Sequence, residues 1–445
     1  MNGPFAAPGA ILGALLLSGV LGCSDVEPIL AADLAAALEG LDHPNVVFIV
    51  CDTTRADWLT PYGSGQNTSP ELARWAERGV LFENVRAQSS WTKTSMASLM
   101  TSLWPNTSGV VLRRDGLGDG ALTLAEAFQA AGYATYAVQS NGWLEQTFGF
   151  HQGFDHYRFP RGGGNAAMRT SIWPHADNIY RETMRLLDEH PAREPFFLYL
   201  HLMDVHEYAA PPEFHVFGSD SAGAYRAAIR WVDQVVERLR ENLDERGLLD
   251  RTILVFGADH GEAFGENQRQ GHAKNVFSAV VHVPLIVRFP FAAEPIRVIA
   301  QVRNLDIAPT LLELADIAVP DAFEGRSLLD SIVDPAGAED RPSFASLDEK
   351  LFPDAWLQKS LAEKRWSYAG NFDDEGGIGR EFLFDRQVDP REDVNLIDVE
   401  IEEAARMRAL LDAHMAAPTR PEASESDIRI NPALADKLRA LGYGS

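Results

Sequence analysis

Cysteine is almost absent. Cys23 and Cys51 are the two thiols in 445 residues, so no disulfide framework holds this chain and it must bury a core of its own. Basic charge is scarce as well. Lys and Arg total 39 against 64 Asp and Glu, for a formal net charge of -25. That balance excludes nucleic acid as a partner, because binding it needs a basic surface. Any anion site must therefore be locally positive within an acidic exterior. A membrane-spanning run is not evident either: the apolar stretch ILGALLLSGVLG at 11–22 falls short of the ~20 residues a spanning helix needs. What remains, 46% hydrophobic and 23% charged, is the composition of a globular protein. The length suits one large α/β domain with a smaller companion, since single cores rarely exceed about 300 residues.

The stretch at 11–22 has the length of a secretory h-region. Val20-Leu21-Gly22-Cys23 resembles a bacterial lipobox, which would make Cys23 the lipidated first residue of an exported protein of the periplasm or cell envelope. A plain cleaved signal or an uncleaved anchor is the alternative. The expected layout is a signal peptide at 1–22, a linker at 23–44, a main domain at 45–330, and a C-terminal subdomain and tail at 331–445. Cys51 ends an apolar run and reads as a small core residue.

Residues 45–51 (NVVFIVC) are apolar and rich in β-branched side chains, the pattern of a fully buried strand. Residues 69–79 begin at a capping Ser and end in Gly, as a complete helix does. Helix and strand then alternate: helix 122–131 and strand 134–139, helix 176–189 and strand 196–201, helix 224–246 and strand 252–257, and a further buried strand at 283–288. The alternation implies a doubly wound, mostly parallel α/β sheet flanked by helices. Beyond a linker-like VDPAGAEDRPS, hairpin strands within 364–396 and a helix at 402–416 predict a small α+β subdomain.

Ligands of such sheets sit at the carboxyl ends of strands, which singles out Asp52, His201 to His206 and Asp259-His260. A carboxylate at one strand end beside an Asp-His pair at another could hold a divalent cation, or could be structural. His201, Asp204 and His206 could ligate a metal or line an anion pocket. Thr92 opens a helix, where outward N–H groups and the dipole favour an anion. It reads either as an N-cap or as a nucleophile that a metal would activate.

Several segments then occur in order: NVVFIVCDTTRADWLTPYG, SSWTKTSMASLMTSLWPNTSGV, FFLYLHLMDVHE, GADHGEAFGENQRQGHAKNVF with HVPLIVRFP, NLDIAPTLLELADI, EGRSLL and FLFDRQVDPREDVNL. Together they resemble the successive motifs of the sulfatase family, within the alkaline phosphatase superfamily. The resemblance implies an alkaline-phosphatase-like fold and an ester-hydrolase site. It makes Asp52, Asp259 and His260 metal ligands with Thr92, and puts Thr92 at the position of the Cys or Ser that sulfatases oxidise to formylglycine. It gives His206 contact with the transferred group, and His272 and Lys274 stabilisation of the anion and protonation of the leaving oxygen. Arg55, Lys93 and His201 are the expected substrate-binding side chains.

Three departures from the family pattern bear on activity. Thr53 replaces the second acid, and Met96 replaces the Arg that buttresses formylglycine, with Lys93 as a possible substitute charge. Oxidation of Thr gives a ketone, so the formylglycine route is closed at Thr92. A Thr adduct must be cleared by water, as phosphoryl groups readily are. The expectation is a hydrolase or transferase of small or polymeric anionic esters, first of all phosphate esters or diesters, with Thr92 as metal-activated nucleophile. The alternatives are a sulfate-ester hydrolase using Thr92 directly and a catalytically degenerate binding protein. The mixed N/O ligand set favours one Mn²⁺, Zn²⁺ or Mg²⁺ over Ca²⁺, with a second metal at Asp204, His206 and His272 left open. Membrane contact is expected only through a lipid on Cys23.

Overall fold

A computed structural model describes residues 1, 29–30, 33–160, 174–191, 195–373 and 377–440. The apolar stretch 11–22 and Cys23 lie outside them, as do residues 161–173. Among the described residues, no helix is long and apolar enough to cross a membrane.

The chain builds an eight-stranded sheet around β1 (Asn45–Cys51), whose residues are all buried. The other strands are β2 (Gly79–Arg86), β3 (Ala134–Val138), β4 (His156–Arg158), β5 (Phe196–Leu202), β6 (Thr252–Gly257), β7 (His282–Arg288) and β8 (Ile296–Arg303), in the order β8-β2-β7-β6-β1-β5-β3-β4. β1 runs parallel to β5 and β6, and β3 runs parallel to β4 and β5. The exception is β7, antiparallel to both β6 and β2. Covered on both faces, β1 and β6 can be apolar throughout rather than alternating.

Two core layers lie against the sheet. One packs Phe48, Trp91, Met96 and Phe128; the other packs Ile49, Trp75, Tyr225 and Val232. The covering helices include α1 (Pro70–Ala76), α2 (Thr92–Thr101), α3 (Leu124–Ala130), α4 (Ala176–Glu189), α5 (Ser221–Glu245) and α6 (Ile307–Leu314). α3 starts with a complete capping box, Thr123 with Glu126.

The C-terminal part is a four-stranded antiparallel sheet of β9 (Ser343–Leu347), β10 (Leu357–Ala362), β11 (Trp366–Phe372) and β12 (Ile378–Asp385), with helix α7 (Ile401–Met415). Sequence expected the β11–β12 hairpin and α7, but not β9 and β10. A buried carboxylate latches this part to the main sheet. Glu392 accepts hydrogen bonds from the Ser278 amide at 2.8 Å and the Ser278 hydroxyl at 2.6 Å, just before β7.

Candidate active site

Four neighbouring strands deliver their carboxyl-end residues to one place. Asp52 follows β1, His201 lies near the end of β5, Asp259 and His260 follow β6, and Asn141 follows β3. Thr92 comes from above, as the first residue of α2. Asp52, Thr92, His201, Asp259 and His260 have no exposed surface. α2 is held over the sheet by the Ser95 hydroxyl, which donates to the Asp259 carbonyl at 2.6 Å.

Thr92 does not cap its helix. Trp91 is the N-cap and caps without a side-chain bond. The Thr92 hydroxyl instead points at the polar cluster, with Asp52 Oδ2 at 3.4 Å, His260 Nε2 at 3.3 Å and Asn141 Nδ2 at 3.5 Å. The N-cap alternative is thereby set aside. Asn141, which sequence reasoning missed, donates to Asp52 Oδ2 at 2.8 Å and accepts the Trp143 amide on its Oδ1. The signal for it was the same as for Asp52: a polar residue soon after a buried strand.

The turn after β1 is strained. Thr53 sits at φ 57, a conformation that is an outlier for a β-branched residue. It is held there from three sides. Its amide donates to Asp259 Oδ1 at 3.2 Å, its hydroxyl donates to the Asp52 carbonyl at 2.7 Å, and its carbonyl accepts the Tyr225 hydroxyl at 2.7 Å. Ala273, between His272 and Lys274, is also left-handed at φ 53, and its amide donates to the Ser90 carbonyl two residues before Thr92.

On the more open side three imidazoles adjoin. The ring centres of His260 and His272 are 4.9 Å apart, and those of His206 and His272 are 4.8 Å apart. His272 Nδ1 lies 3.0 Å from Glu262 Oε2, and Lys274 Nζ lies 3.1 Å from Asp354 Oδ2. Burial draws the His206 imidazole down, but the Glu207 hydrogen bond and the charges of Asp52, Glu207 and Glu262 outweigh it and push it up to about 9. A protonated His206 attracts an anion, so inhibition by inorganic phosphate is expected to hold to about pH 8 and weaken as pH rises through 9. Glu207→Gln removes part of that support, so the loss should begin at lower pH. Phosphate inhibition constants measured against pH for both proteins check this, and identical profiles would refute the role of Glu207.

Two expected substrate contacts are engaged elsewhere. The Arg55 guanidinium is tied to Asp57 at 2.7 Å, Glu266 at 2.6 Å and the Glu262 carbonyl at 3.0 Å. Lys93 is fully buried. Its ammonium donates to the Arg113 and Asp115 carbonyls, both at 2.7 Å, and faces the rings of Trp91, Trp143 and Phe148 at 4.4–5.1 Å. Neighbouring residues on a helix diverge in direction, which sends Lys93 into this cage while Thr92 faces Asp52. Asp204 is likewise taken, by the Trp231 ring N–H at 3.0 Å and the Ala176 amide at 2.7 Å. It is not available for a second metal.

The residues present fit a divalent cation. Asp52 Oδ1 and Asp259 Oδ2 are buried without a hydrogen-bond partner, a costly state for carboxylate oxygens unless a cation meets them. Burial and the charge of Asp52 push Asp259 up to about 7. Burial opposes ionisation of Asp52, yet its His201 hydrogen bond and the nearby His206 and His260 keep it well below the usual carboxylate range. His260 Nε2 stands 3.8 Å from Asp52 Oδ1 and 3.5 Å from Asp259 Oδ2. Asp52, Asp259 and His260 would hold the ion, with the Thr92 hydroxyl beside them.

Comparison with known proteins agrees with this architecture. A family model described as Sulfatase matches residues 44–317. The ulvan-active sulfatase of Formosa agariphila is 24% identical over 408 residues, covering 80% of this chain and 77% of that protein. The arylsulfatase of Clostridium perfringens is 25% identical over 456 residues, covering 80% and 91%. Among solved structures, a protein in complex with its substrate D-glucosamine-2-N,6-O-disulfate matches with a TM-score of 0.67 at 18% identity, covering 84% of this chain and 97% of that one. The phosphonate monoester hydrolase of Agrobacterium radiobacter matches with a TM-score of 0.67 at 19% identity, covering 87% and 100%. At these identities the structural likenesses establish the fold alone. Family match, sheet topology and clustered ligands together place the chain in the sulfatase family, as an ester hydrolase of the sulfatase and alkaline phosphatase superfamily.

Proposed function

We propose that the enzyme hydrolyses phosphate esters or diesters, with the Thr92 hydroxyl as nucleophile and Mn²⁺, Zn²⁺ or Mg²⁺ in preference to Ca²⁺. The observation that carries this reading is the orientation of Thr92: its oxygen faces Asp52 and His260 at the end of α2, and a Thr at that position has no path to formylglycine. A bound divalent cation would lower the hydroxyl pKa and offset the charge of the transferred group. Thr92 Oγ1 forms the new bond to phosphorus as the ester oxygen leaves and takes up a proton. Water then displaces Thr92, its oxygen going to the phosphoryl group and a proton returning to the threonine. The α2 N-terminus and protonated His206 face the anion, while His272 and Lys274 serve the leaving oxygen.

The phosphonate monoester hydrolase among the structural neighbours is consistent with phosphoryl chemistry on this fold. The sulfatase names of the curated relatives favour a second reading, sulfate-ester hydrolysis with Thr92 attacking directly. Assays of p-nitrophenyl phosphate, bis-p-nitrophenyl phosphate and p-nitrophenyl sulfate, each with Mn²⁺, Zn²⁺, Mg²⁺ or Ca²⁺, separate the two. Preference for the sulfate in every metal would overturn the phosphoryl assignment.

From the lipobox-like Val20-Leu21-Gly22-Cys23 we further propose that the enzyme is exported to the cell envelope and tethered through a lipid on Cys23. In a bacterial host Cys23→Ala is expected to move the protein from the membrane fraction to the soluble fraction. An unchanged distribution on fractionation would rule the tether out.

A further inference from the structure

We propose that His201 is a ligand of the metal, its Nε2 supplying the coordination that Thr53 does not. The inference rests on the metal site described above but not on which ester is cleaved. Thr53 cannot contribute from where it stands: its hydroxyl is bound to the Asp52 carbonyl and its backbone is locked left-handed. Its position next to Asp52 therefore adds no oxygen to the site. His201 arrives from β5 on the far side of β1, where Val50 pairs with it in register, and has no exposed surface. Its Nε2 lies 3.0 Å from Asp52 Oδ2. One ligand atom each from Asp52, His201 and Asp259 falls within 4.8 Å of the others. Donors around one small cation at about 2.0–2.2 Å lie at most about 4.4 Å apart, so slight tightening gives a common centre.

The other ring nitrogen supports the assignment. A metal-bound imidazole nearly always donates its second N–H to a fixed acceptor. Tyr199 Oη is 2.7 Å from His201 Nδ1 and is the fixed partner of that second ring nitrogen. In the tautomer whose Nε2–H donates to Asp52, the phenol donates to Nδ1. With metal, Nδ1–H donates to Tyr199 and the Nε2 lone pair faces the ion, a change of tautomer with no net proton released. His260 has the same arrangement, with Nδ1 3.0 Å from the Gly261 carbonyl. The resulting set of two imidazoles, two carboxylates and the Thr92 oxygen suits Zn²⁺, Mn²⁺ or Co²⁺. An oxygen-only cage would suit Ca²⁺.

Co²⁺ is the probe. In the Co²⁺-loaded protein each coordinated imidazole should give one strongly shifted, exchangeable N–H signal by NMR. The wild type is expected to show two and His201→Gln one. The glutamine can still donate to Asp52, so a mere orienting bond would survive the change. Zn²⁺ affinity, measured by competition with a chelator, should fall at least about 100-fold in His201→Gln and about 10-fold or more in Tyr199→Phe, with Ca²⁺ affinity changing less. A single shifted N–H in the wild type, or His201→Gln with unchanged Zn²⁺ affinity, would overturn the proposal. The wild-type signal count decides even if the variant misfolds. No ester enters these measurements, so failure of the phosphoryl reading leaves them standing.

Discussion

Thr92→Ala is expected to lower kcat on the best ester by at least about 10³-fold, because the lost hydroxyl is the group that bonds to the substrate. Its fold and metal content should persist. The hydroxyl makes three long contacts of 3.3–3.5 Å and does not cap α2, so stability should fall by only about 1–2 kcal/mol, the scale of a small buried truncation. Thr92→Ser keeps the hydroxyl and should remain within about tenfold of the wild type, since oxidation at this position plays no part in the proposed cycle. Initial rates, denaturation midpoints and metal analysis of the two variants together are decisive. Activity in Thr92→Ala would remove Thr92 from the chemistry.

The second large effect is on metal dependence. Asp259→Asn should weaken binding of the divalent ion by at least about 100-fold and abolish turnover at ordinary metal concentrations, because Asp259 Oδ2 has no hydrogen-bond partner and its carboxylate would complete the ion's negative surroundings. Metal-free protein should show a linked pH effect. Burial beside Asp52 raises Asp259 from 3.8 to about 7, so the native state holds a proton that the unfolded chain has released. Stability contributed by the protonated form is complete below about pH 4 and lost as pH rises through 7. In EDTA, the urea midpoint of the wild type should therefore fall between pH 5 and 8, and added metal should restore it. In Asp259→Asn the fall should flatten and the metal effect should vanish. A wild-type midpoint that ignores both pH and metal across this range would show that the two carboxylates are not in conflict.

Much of this site could be read from the chain because strand ends declare themselves. NVVFIVC can only be a buried strand, so the acid after it stands at the sheet's carboxyl edge, and TILVFG marks Asp259 and His260 in the same way. Asn141 escaped because Ser140 separates it from the expected strand 134–139 and an amide carries no charge to draw notice. The partners that hold Arg55 and Lys93 were hidden for a different reason. A cation's job depends on its partners, and local sequence shows only some of them: Asp57 is two residues from Arg55, but Glu266 is 211 away, and the Lys93 carbonyl acceptors are 20 and 22 residues away. The strand β8 was hidden by its place at the sheet edge. Its burial alternates at first, with Arg297 and Ile299 exposed, so it lacks the unbroken apolar run that marks the central strands. The antiparallel direction of β7 is a matter of how the chain arrives, which residue type does not record.

The amide of Thr53 meets the Asp259 carboxylate across 206 residues of chain, and that span orders events in time. No fragment ending before β6 contains both carboxylates, so a nascent or refolding chain cannot take up the ion until the central strands have assembled around β1. The ion binds a state that forms late. It should therefore leave the refolding rate nearly unchanged and slow unfolding instead, making the loaded enzyme persistent rather than quick to form.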